Sequence, residues 1–107
     1  MSYQKMRILC FFDLPMDTPQ ERKKYRLFRK ELLSQGFIML QFSVYYRTVP
    51  NRSAGKKFES LLTRAIPTHG EIRLLYVSEK QFSEMLLLVG EKTKQETIIS
   101  DNKLVVI

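Results

Sequence analysis

The chain has little cysteine, little histidine, few acids and no long apolar run. Its single cysteine, Cys10, lies inside an apolar stretch. One buried thiol forms neither an intrachain disulfide nor a zinc cluster, which points to a reducing cytoplasm. Its single histidine, His69, precedes Gly70 in a turn and is expected at the surface rather than as a base or ligand. No apolar run approaches the length of a membrane span, and the N-terminus shows no signal-peptide pattern. We therefore expect a cytoplasmic protein with no membrane partner. There is no internal repeat and no low-complexity segment. Acids number 11 against 18 Lys plus Arg, a net charge of +7. That basic excess on so small a domain favours a polyanionic partner, most often nucleic acid. At 107 residues the chain accommodates one domain, residues 1–107, and no second core.

The rest is organised around Met6-Arg7-Ile8-Leu9-Cys10-Phe11-Phe12-Asp13. A short, nearly continuous apolar run of this kind reads as a central strand buried on both faces. Pro15 cannot donate to a ladder, so the strand stops near Asp13. Asp13 is then either a functional carboxylate at a strand end or a residue that only hydrogen-bonds the following turn.

Thr18-Pro19-Gln20-Glu21 carries the signature of a capping box with proline at the first helical position. The helix should run to about Gln35 and close on Gly36. Tyr25, Phe28 and Leu32 share its core face. Arg22, Lys23, Arg26, Arg29 and Lys30 share a flank, with only Glu21 and Glu31 as nearby acids. A charge run is ordinarily a solvated face. Here salt bridges along the helix cannot neutralise the stripe, which favours phosphate contact. Lys5, Arg7 and the 47–57 segment add further cations.

Phe37–Arg47 is β-rich and long for one strand, and a bulge or bend near Gln41 would divide it. A second helix begins near Ser53 and ends at Pro67, with Ala54, Phe58, Leu61, Leu62 and Ala65 on its apolar face. Glu71–Ser78 is a clear strand, Glu79–Phe82 one helical turn, and Met85–Val89 another apolar strand. Leu104, Val105, Val106 and Ile107 form a terminal apolar strand that needs a partner edge. The order is that of a ferredoxin-like βαββαβ sandwich with an extra C-terminal strand. Two right-handed crossovers are expected to set the first strand and Glu71–Ser78 side by side and parallel, with Glu79 at the same sheet end as Asp13. Both helices would cover one face. The other face, without a helix, calls for a homodimer.

With Asp13, Arg22, Gly36 and Gln41-Phe42-Ser43-Val44-Tyr45 placed, nearly the whole chain resembles CRISPR-associated protein two. That family supplies the small partner of the spacer-acquisition integrase. The chain is most similar to the branch that accompanies the single-effector interference nuclease. The resemblance implies a dimeric ferredoxin-like fold that bridges integrase dimers and lies along duplex DNA. It also implies, for parts of the family, that the residue matching Asp13 binds a divalent metal such as Mg²⁺ and supports endonuclease activity on RNA or duplex DNA. Many relatives carry an acid after the Ser-Val-aromatic triplet; this chain has Tyr46 there. Three function classes follow: an architectural DNA-binding module, a metal-dependent nuclease, and an RNA-recognition-motif-type binder. The last lacks the aromatic motif it needs in Glu71–Ser78.

Overall fold

The computed structural model describes residues 5–90. Its elements are β1 (Met6–Asp13), α1 (Pro19–Ser34), β2 (Ile38–Gln41), β3 (Val44–Val49), a 3₁₀ turn (Ser53–Gly55), α2 (Lys56–Thr63), β4 (Glu71–Ser78) and α3 (Glu79–Ser83). The four strands form one sheet in the order β2-β3-β1-β4, with α1 and α2 on one face. This is the ferredoxin-like architecture.

Local chemistry accounts for the elements. Thr18 Oγ1 accepts from the Glu21 amide at 3.1 Å, and Glu21 Oε1 accepts from the Thr18 amide at 2.9 Å. The capping box is therefore formed, and it starts α1 at Pro19. Gly36 ends the helix with φ +85°, a left-handed conformation that costs glycine nothing. Arg47 reinforces this end by donating to the Gln35 carbonyl while it lies 4.0 Å over the Phe58 ring. Ser78 and Gln81 repeat the capping box at the start of α3.

Side chains of β1 alternate between two clusters. Ile8, Cys10 and Phe12 face the helices and pack with Phe28, Leu32, Phe58, Leu62 and Tyr45. Leu9 faces the other way and packs with Tyr46 and Phe82.

The structure corrects several expectations. β1 and β4 are neighbours, but antiparallel, with Met6 opposite Ser78 and Asp13 opposite Glu71. Each right-handed crossover makes the strands it joins parallel: β1 with β2, and β3 with β4. The β2–β3 hairpin is antiparallel, so β1 opposes both of its neighbours. The 37–47 run is divided after Gln41, as expected, into β2 and β3. A tight turn at Phe42-Ser43, with Ser43 at φ 65°, separates them, and a register shift falls between Met39 and Gln41. α2 stops at Thr63, before Pro67. The second sheet face is not bare, because α3 folds onto it through Phe82. Met85–Val89 forms no strand. Its one ladder position is an isolated bridge at Leu87, and Met85, Leu86, Leu88 and Val89 stand exposed. Leu104, Val105, Val106 and Ile107, the expected partner-docking strand, lie outside the described residues. No helix among the described residues is long and apolar enough to cross a membrane.

Candidate functional site: a carboxylate pair and a basic helix face

Asp13 ends β1 on the face away from α1 and α2, in the same alternation as Leu9 and Phe11. It is exposed, and its carboxylate has no hydrogen-bond or ion-pair partner among the described residues. The turn hydrogen bond that a strand-end Asp could make is not formed. Directly across the ladder stands Glu71, the first residue of β4. Facing residues in an antiparallel pair hold their Cβ atoms about 4.5–5.5 Å apart. Phe11, Asp13, Ser43, Glu71 and Arg73 line a shallow cavity of about 210 Å³. Arg73 Nη2 lies 3.3 Å from Glu71 Oε1 in an exposed ion pair, which contributes little to stability.

Gly70 holds this end of the sheet closed. Its φ is +104°, and a Cβ there would stand 2.7 Å from the Asp13 carbonyl oxygen and 3.1 Å from Leu14 Cα. Only a residue without a side chain lets β4 begin this close to the end of β1.

Glu79 is at the opposite end of the sheet, a direct consequence of the antiparallel register. There Arg7 Nε donates to Glu79 Oε2 at 2.8 Å and Arg7 Nη2 to Glu79 Oε1 at 3.1 Å. The Arg7 guanidinium lies 4.0 Å from the Phe82 ring centroid and 5.0 Å from that of Tyr46. At 4% exposure Arg7 is a buried structural cation, not part of a charged surface. Glu71 is the acid that sequence reasoning passed over; the reversed strand direction was the missing signal. His69 does not line the Asp13 cavity. It borders a neighbouring one with Leu14, Pro15 and Pro67, and its Nδ1 is 3.1 Å from Thr68 Oγ1.

Two hard oxygen donors on adjacent strands suit Mg²⁺, which takes one or two protein carboxylates and keeps several waters. No cluster of three or more acids, histidines or cysteines occurs among the described residues. Among the described residues no side chain stands beside this pair as a base or nucleophile.

The helix layer differs in character. Arg22, Lys23, Arg26, Arg29 and Lys30 are all exposed on α1, with Lys24 beside them. Arg52, Lys56, Lys57 and Arg64 are exposed on and around α2, and Arg64 extends the basic character beyond the sequence reading. The ion pairs among the described residues are Arg7–Glu79 and Arg73–Glu71, so none of these cations has an acidic partner among them. The helix acids are occupied otherwise. Glu21 caps α1, Glu31 accepts from the Gln35 side chain, and Glu59 accepts from the Tyr76 hydroxyl. Burial and that bond push the Tyr76 hydroxyl up to about 12.

Two arginines of the α1 stripe are anchored. Arg22 Nη1 donates to the Met16 and Asp17 carbonyls at 3.0 and 3.3 Å. Arg29 Nε donates to Tyr45 Oη at 2.8 Å.

The sequence profile described as "CRISPR associated protein Cas2" matches residues 6–85. A Streptococcus mutans protein named CRISPR-associated endoribonuclease Cas2 is 50% identical over 102 residues, covering 94% of this chain and 91% of that protein. Proteins of the same name from Acidovorax ebreus and Ligilactobacillus salivarius are 45% and 42% identical. These matches cover 85% and 84% of this chain, and 89% of each relative.

Proposed function

The chain belongs to the CRISPR associated protein Cas2 family, and on that basis we propose that it is a CRISPR adaptation protein that binds duplex DNA along the outer surface of α1 and α2. The observation that carries this reading is the basic helix face, whose cations have no acidic partner among the described residues. Phosphate contacts of this kind fix position on a duplex without reading sequence. The protein acts as a homodimer that bridges integrase subunits. Exposed Phe11, Ile38 and Leu75 on the other sheet face, with Met85, Leu86, Leu88 and Val89 after α3, give a second copy an apolar surface to cover.

A second reading is favoured by the relatives' name, endoribonuclease, and by the free carboxylate of Asp13 opposite Glu71. In it, Asp13 and Glu71 would hold Mg²⁺, which would supply Lewis-acid stabilisation of a phosphodiester, and Arg73 would bind the phosphate. The donor set is thin for cleavage that uses two metals, so binding ranks first.

One comparison separates the readings. Asp13→Ala is expected to keep wild-type duplex affinity and to support spacer integration by purified integrase, whatever it does to Mg²⁺-dependent RNA cleavage. Loss of integration by a folded Asp13→Ala protein would remove the scaffold reading.

A further inference from the structure

We propose that Tyr45 is a positioning residue for Arg29, holding its guanidinium as a ready-made phosphate contact. The proposal rests on the reading of the helix face as the nucleic-acid surface and says which cation on it sets the register.

Tyr45 comes from β3, on the layer beneath α1, and is 1% exposed. Its ring stacks on Phe12 with centroids 5.7 Å apart and planes 30° apart, so the hydroxyl is held by the core. That hydroxyl accepts the Arg29 Nε–H at 2.8 Å, although Arg29 itself is exposed on the helix. A guanidinium has five N–H donors in a fixed fork. One bond to Nε orients the plane and leaves the four N–H groups of the two terminal nitrogens available. Those are the donors that grip phosphate in bidentate fashion. A free arginine loses side-chain freedom on binding, at a cost of about 0.5–1.5 kcal/mol per ordered side chain; a held one has already lost it.

Lys23, Arg26 and Lys30 have no hydrogen-bond partner of this kind among the described residues. Arg22 does, through main-chain carbonyls. Arg22 and Arg29 are seven residues apart, about 10 Å along the helix at 1.5 Å per residue and nearly on one line. They are two fixed contacts in a field of movable charge.

The test is a double-mutant cycle on the full chain, read as affinity for a short fluorescein-labelled DNA duplex across a salt series. Tyr45→Phe keeps the ring and removes the acceptor. It is expected to weaken binding about 2- to 12-fold, the factor that this ordering cost implies, with the salt slope unchanged because the charge remains. In an Arg29→Gln background the same change should do nothing. Arg29→Lys keeps the charge but not the fork, so it should also bind less tightly at unchanged slope. This variant stands independently of any folding effect at position 45. An equal loss from Tyr45→Phe in both backgrounds, or wild-type affinity in Tyr45→Phe or Arg29→Lys, overturns the proposal. If neutralising Arg22, Arg26 and Lys30 together also leaves affinity unchanged, the helix-face reading itself falls, a result distinct from failure of the Tyr45 link alone.

Discussion

Replacing Glu79 with Gln should destabilise the protein more than removing Arg7, although both changes break the same ion pair. Arg7 is sealed between Phe82 and Tyr46, and its Nη1 has no hydrogen-bond partner among the described residues. Among the described residues, Glu79 is the one acid that compensates its charge, through two contacts. Taking one partner from a buried pair costs about 3–5 kcal/mol, because a charge is left buried alone. The Glu79 side chain is 37% exposed, so water takes part of its place; we expect about 2–3 kcal/mol for Glu79→Gln.

Arg7→Met removes the charge that needs a partner and keeps an apolar stem between the rings. Glu79 returns to water. The loss is then chiefly the ring contact, about 1 kcal/mol. For a domain of this size each kcal/mol moves the unfolding midpoint by roughly 4–8 °C. Guanidinium and thermal unfolding at one fixed protein concentration would measure both variants and the double variant, which should resemble Arg7→Met. If Arg7→Met is as damaging as Glu79→Gln, the guanidinium is not held in the way described.

Alkaline pH should destabilise the fold in two stages. Burial pushes the Cys10 thiol from 9.0 up to about 12, and burial with the Glu59 bond pushes Tyr76 from 10.0 up to about 12. Each group keeps its proton more tightly in the folded chain than in the unfolded one. Stability is therefore full below pH 9 and falls as pH rises toward 12. Cys10→Ala should remove the part that begins near pH 9, and Tyr76→Phe the part that begins near pH 10; a flat unfolding free energy from pH 9 to 11 would refute this. Gly70→Ala should cost about 1–3 kcal/mol by forcing a side chain into a left-handed conformation. The added Cβ also presses on the Asp13 backbone. Denaturant unfolding checks it, and a variant as stable as wild type would show that this end of the sheet is slack.

What sequence could show here was local or periodic. The capping box at Thr18–Glu21 needs only four adjacent residues, and the α1 core face needs only helical spacing. Glu71–Ser78 showed alternation over eight residues, and its bounds match β4. What it could not show depended on long-range direction. Once β4 is known to run against β1, Glu71 replaces Glu79 beside Asp13, and no spacing rule carries that fact. Arg7 looked like one more surface cation because its partner, Glu79, is 72 residues away and reaches it only through α3 folding back over the sheet. Arg29 and Tyr45 meet only because the crossover returns the chain beneath α1. The run Met85–Val89 has the composition of a strand, but composition cannot show that its pairing shrinks to a single bridge at Leu87.

The most direct measurement is the salt dependence of duplex-DNA affinity for the wild-type protein, for the Arg22→Gln, Arg26→Gln, Arg29→Gln and Lys30→Gln combination, and for Asp13→Asn. Removing each phosphate-binding cation should flatten the slope of log affinity against log salt by about 0.9. A markedly flatter slope is expected for the helix-face combination and a wild-type slope for Asp13→Asn. A helix-face combination that keeps the wild-type slope, with its fold intact, would contradict the claim that α1 carries the nucleic acid.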